Sequence, residues 1–162
     1  MEQMKYKLFW KSQSDNSKVV SLVEWNEKKQ DYYAFIKSCI KEDYHQISIT
    51  GEIMLGLIEM ISSKQNVDIS KIDLMEEDYE EDNQLLFMVE KTWTNRGDFV
   101  KVLQRLRYLE DESSIEIKRV TFTDKLNKEI VFIQVNGLVG TNNGYGKLMQ
   151  DVIDCIREYI NR

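Results

Sequence analysis

The 162 residues carry 22 basic and 28 acidic side chains, 42% apolar residues and no proline. This composition belongs to a globular domain with its own core, and it argues against a disordered segment. A formal net charge of -6 argues against a protein that grips a nucleic-acid backbone. No apolar run nears the roughly 18 residues of a membrane span and the Met1 region lacks a signal-peptide pattern, so no membrane association and a cytoplasmic location are expected. One domain over 1–162 is the simplest organisation.

Tyr6, Leu8 and Trp10 alternate with lysines, Ser12–Ser17 is a polar turn, and Val19–Trp25 returns, which predicts a hairpin over 5–25. Tyr32, Phe35, Ile36, Cys39 and Ile40 share one face of a following helix. Ile47 and Ile49 alternate with polar residues as a short strand. Thr50 then caps a helix over 51–64 with Ile53, Leu57, Met60 and Ile61 inward, although Gly56 costs such a helix about 1 kcal/mol. Val67, Ile69, Ile72 and Leu74 form a strand whose inward phase flips midway, the mark of a bulge, and Ile115, Ile117, Val120 and Phe122 show the same flip.

Leu85–Val89 is a continuous apolar run and is assigned to a central strand buried on both faces. Asn95–Asp98 starts a helix with Phe99, Val102, Leu103, Leu106 and Leu109 inward. Val120 and Phe122 lead through the turn Asp124–Lys128 into a strand over Ile130–Val135. A loop, Gly137–Gly146, precedes a last helix whose face is Leu148, Met149, Val152, Ile153, Ile156 and Ile160.

The expected layout is therefore α+β, a largely antiparallel sheet with packed helices, in the order ββα-βα-ββα-ββα. Val19–Glu24 echoes Leu85–Glu90, which raises a pseudo-repeat of halves 1–66 and 67–162. In element order alone, 46–123 resembles the split βαβ of ferredoxin-like folds, and 51–161 is similar to type III secretion chaperone-like folds minus one strand. Such likeness implies a fold and no function.

Two stretches concentrate chemistry. Glu76, Glu77, Asp78, Tyr79, Glu80, Glu81 and Asp82 hold six carboxylates, and without them the chain is neutral. The ordinary reading is a hydrated loop. The functional reading is a docking site for a partner protein with a basic surface, because a focused field steers association. An irregular divalent-cation site is the third reading, but the run lacks EF-hand spacing and no metal is assigned.

The second stretch runs from Gly137 to Lys147, between a strand and a helix. Gly140, Gly144, Gly146 and Lys147 could present backbone N–H groups and a charge to an anion or nucleotide. A P-loop is excluded by five residues between Gly140 and Gly146 and by Leu148 after the lysine.

His45 is the only histidine, so neither a His–Cys metal cluster nor a catalytic triad is suggested. Cys39 and Cys155 are read as reduced packing residues. Lys101, Arg105, Arg96 and Arg107 form a solvated face, or meet a phosphate or an acidic loop such as Glu76–Asp82 of a second copy. Aromatics Tyr6, Phe9, Trp10, Trp25, Tyr32 and Tyr33 crowd the N-terminus. The expectation is a non-enzymatic protein-binding module without a cofactor, of the inhibitor, immunity or chaperone-like kind, using the acidic loop and the aromatic hairpin. The alternatives are an anion-binding protein and a structural subunit that forms a homodimer.

Overall fold

The structure, a computed structural model, describes residues 3–76, 79–112, 115–142 and 146–162. The fold is α+β. A hairpin of β1 (Met4–Ser12) and β2 (Lys18–Glu24) leads to helix α1 (Tyr32–Lys41), a two-residue strand β3 (His45–Gln46), α2 (Gly51–Ser62) and β4 (Val67–Leu74). Then come α3 (Tyr79–Thr94), a single 3-10 turn at Arg96–Asp98, α4 (Phe99–Asp111), the strands β5 (Ile117–Asp124), β6 (Glu129–Gln134) and β7 (Leu138–Thr141), and α5 (Lys147–Ile160). The strands form one antiparallel sheet in the order β2-β1-β7-β6-β5-β4, with β3 added to β1.

Local signals set much of this. Thr50 Oγ1 accepts from Ile53 N–H at 3.2 Å and starts α2, and Asp31 caps α1 through Ala34 N–H. The phase flip in β4 is a register break between Ile69 and Lys71, and a second break opposite Lys118 accounts for the flip in β5. Helices α2 to α5 cover one face of the sheet over Leu8, Ile69, Val120, Ile133 and Val139. Helix α1 lies on the other face, where Phe35, Ile36 and Cys39 close over Phe9. Cys39 and Cys155 are both buried and sit on opposite faces of the sheet.

Three expectations are corrected. Leu85–Val89 is helix rather than strand: Glu81, Leu85, Val89 and Thr92 recur at helical spacing and are buried, whereas Leu86 and Phe87 are exposed. The sequence 79–94 has no glycine and one β-branched apolar residue, so helix propensity agrees with the packing. Hence the third unit keeps its first strand, β4, but has a helix in place of its second, the ferredoxin-like order over 46–123 is not formed, and the proposed echo pairs strand β2 with helix α3.

The expected loop Gly137–Gly146 contains β7, a strand of only four residues concealed by Gly137 just before it and Gly140 within it. A side chain on Gly140 would collide with the Phe132 ring. Finally, Ile47 and Ile49 are buried without forming a regular strand. They anchor individually through Ile47 N–H to Leu8 O and Ile49 N–H to Val135 O.

Smaller adjustments concern helix faces. In α2 the buried apolar side chains are Met54, Leu57, Ile58 and Ile61, with Ile53 and Met60 half-buried. Ile40 of α1 is exposed. Gly56 marks a close approach of α5 to α2, because a Cβ there would meet the phenol end of Tyr159 unless that side chain moved.

Candidate functional site

The acidic stretch is divided by the fold. Glu77 and Asp78 lie outside the described residues, Tyr79 opens α3, and Glu80, Glu81 and Asp82 occupy its first turn, where the helix dipole favours carboxylates. Glu81 is 8% exposed and turns inward. Arg105 of α4 donates Nε–H to Glu81 Oε1 at 2.7 Å and Nη2–H to Oε2, a bidentate pair. That hydrogen bond raises the Arg105 pKa above its ordinary value. The expectation that the whole run is solvated is therefore corrected at Glu81. The basic partner of this carboxylate lies in the same chain. Glu76, Glu80 and Asp82 are exposed and form no ion pair among the described residues.

What surrounds these three carboxylates was not legible in the sequence. Because α3 replaces the expected buried strand, its outer face presents Leu86 and Phe87, 46% and 58% exposed, and exposed Met75, just past the end of β4, lines the same groove as Leu86. Between α3 and β4 runs a groove of about 770 Å³. Asp82, Leu86 and Val89 line its helical wall, and Lys71, Leu74 and Arg119 line the sheet side. Helical periodicity across 81–92 was the signal available, and the apolar run masked it.

Basic residues near the site mostly have structural duties. Arg96 bridges three carbonyls, donating to Ser62 O, Lys64 O and Val67 O at 2.9–3.0 Å. Arg119 stacks on Phe132 at 4.4 Å and donates to Gln134 Oε1. Lys101 reaches Asp98 and Arg107 reaches Glu59 on the surface.

The stretch ending at Lys147 is arranged differently from the expected anion cradle. Gly140 lies inside β7 and faces Lys5 and Phe132, Gly144 is outside the described residues, and the Lys147 side chain is exposed. Gly146 does precede a helix N-terminus. The N–H groups of Leu148 and Met149 there donate to the two carboxylate oxygens of Glu129, at 3.2 and 3.1 Å. Glu129 is buried, so the protein's own carboxylate takes the place an external anion would need. The sequence reading missed this residue because glutamate after a turn looks like a surface position.

At the far end of the sheet the N-terminal aromatics split. Phe9, Trp25 and Tyr32 pack with Phe35 and Tyr44. Tyr33 is 84% exposed and joins Ile40, Lys37 and Lys41 around a shallow apolar hollow on α1. His45 stacks on Trp10 at 4.1 Å. Among the described residues no group of three or more His, Cys, Asp or Glu side chains gathers as a metal site would require, and no helix is long and apolar enough to cross a membrane. No family model, curated protein or solved structure matches this chain.

Proposed function

We propose that the chain acts by binding another protein, and that the contact surface is the acidic and apolar shoulder where α3 begins and faces β4. The observation that carries this reading is that exposed Met75 and Leu86 line one groove with the exposed carboxylate of Asp82, while exposed Phe87 follows Leu86 and exposed Glu80 lies in the same first turn of α3 as Asp82. Exposed apolar side chains rimmed by charge supply contact area, and carboxylates set the sign of the partner's surface. The partner is basic where it meets Glu80 and Asp82, and the role is binding rather than catalysis, in the manner of an inhibitor, immunity-type or chaperone-like factor. The α1 hollow around Tyr33 and Ile40 offers a second apolar contact with basic rather than acidic neighbours.

The test is affinity capture from an extract of the source organism with the unmodified chain, with Leu86→Lys/Phe87→Lys, and with Tyr33→Lys/Ile40→Lys. Circular dichroism verifies that each variant folds. A captured protein lost with the α3 variant, and eluted by salt from the unmodified chain, supports the reading. Capture that survives the α3 variant and depends on Tyr33 and Ile40 moves the site to α1 and overturns it.

A further inference from the structure

Strand β4 ends the sheet and pairs only with β5 among the described strands. An unpaired strand edge presents N–H and C=O groups to another chain, and folds ordinarily cover it. Here the covering is partial. At the start of β4, the Val67 carbonyl accepts from Arg96 Nη2–H at 2.9 Å and the Ile69 carbonyl accepts from Trp93 Nε1–H at 2.7 Å. Past the bulge at Ser70 the arrangement changes. Over Lys71–Leu74 no side chain among the described residues hydrogen-bonds to the strand backbone, as Arg96 and Trp93 do at Val67 and Ile69, and these four residues line the 770 Å³ groove.

The geometry points to addition of an extended segment of a partner protein to the open half of β4. The idea rests on the binding role proposed above and specifies what the partner brings to that surface. A strand lying in the groove would satisfy the outer backbone groups of Lys71–Leu74, and its side chains would alternate between two unlike walls. Toward α3 they meet Asp82, Leu86 and Met75, an acidic and apolar wall. Toward the open face they meet Lys71, Lys118 and Arg119 with one carboxylate, Asp73, which Lys71 already approaches at 3.3 Å. Charge complementarity therefore selects a segment with basic and apolar residues on one face and acidic or hydroxyl residues on the other. A helix does not fit this demand, because only an extended backbone offers free N–H and C=O groups to a strand edge.

The test uses an eight-residue synthetic peptide with lysine and valine alternating along one face and threonine and glutamate along the other. Two further versions are N-methylated on one or the other alternate set of backbone nitrogens. Binding is read by calorimetry, and amide hydrogen exchange of the protein locates the contact. The expected result is that the unmodified peptide binds, that one methylation phase weakens it at least tenfold while the other leaves it nearly unchanged, and that exchange slows at Lys71–Leu74. Equal affinity for both methylated peptides, no binding of the unmodified one, or slowed exchange elsewhere overturns strand addition. The two proposals fail separately. If the α3 variant abolishes capture while the peptide results fail, the shoulder still binds a partner but not through the strand edge. If capture ignores α3, the surface itself has been misassigned.

Discussion

At the scale of single residues, charged side chains stabilise this fold more than a like-charge run suggests. Glu81 is nearly buried and held by the Arg105 fork, so losing its charge leaves Arg105 facing an amide in a partly dry site. Hydrogen bonds to charged groups contribute about 1.5–3 kcal/mol, and Glu81→Gln is expected to cost that much in urea denaturation. Glu80→Gln, one residue earlier and exposed, should stay within about 0.5 kcal/mol of the parent. A matched small effect at both positions would show that the Arg105 pair is loose in solution. The same economy appears at Arg96 and Glu129. One guanidinium serves three carbonyls, and one carboxylate serves two N–H groups at the start of α5.

At the scale of elements, α4 shows where periodicity alone stops. Its face was expected to include Leu103, but Val102, Leu106 and Leu109 are the fully buried side chains and Leu103 is only half-buried. Helix α4 contacts α2 and α3, so its buried stripe is set by two neighbours and is rotated toward 102, 106 and 109. Leu106→Ala should open a cavity and cost about 2–5 kcal/mol. Leu103→Ala should cost clearly less, about 1 kcal/mol, and the exposed Gln104→Ala almost nothing. Chemical denaturation of the three variants gives the order directly. Equal losses at 103 and 106 would mean that the helix is rotated from the position described.

At the scale of the whole molecule, the sheet is completed by β1 docking against β7, and this places Lys7 in the interior. Its ammonium donates to the Asn136 carbonyl, and burial pushes its pKa down to about 8. The ordinary value is 10.5, so between those two values the unfolded chain holds a proton that the folded chain has released. Stability contributed at this site therefore rises as pH climbs through that window, and below it the buried cation is a constant cost. Comparing urea midpoints of the unmodified chain and Lys7→Met, the unmodified chain should gain on the order of 2–3 kcal/mol relative to the variant between about pH 7.5 and 10.5. A difference that stays flat with pH would place Lys7 in water.

The residues alone determined what neighbouring positions can enforce. The polar turn Ser12–Ser17, the Thr50 cap, the mid-strand phase flip of β4 and the one-sided stripe of α5 all act within a few residues, and all appear where the pattern put them. The α+β class follows from those elements. Tertiary structure decided the rest for identifiable reasons. An unbroken run such as Leu85–Val89 has no period of its own, so only the location of its partners makes Leu85 and Val89 inward and Leu86 and Phe87 outward. The four residues of β7, with Gly140 among them, are too few to propose a strand, and they became one because β1 and β6 supply hydrogen-bonding edges on both sides. The candidate site belongs to the same category: its groove exists only where α3 departs from the edge of β4 and Lys118 and Arg119 of β5, distant in sequence, complete its sheet side.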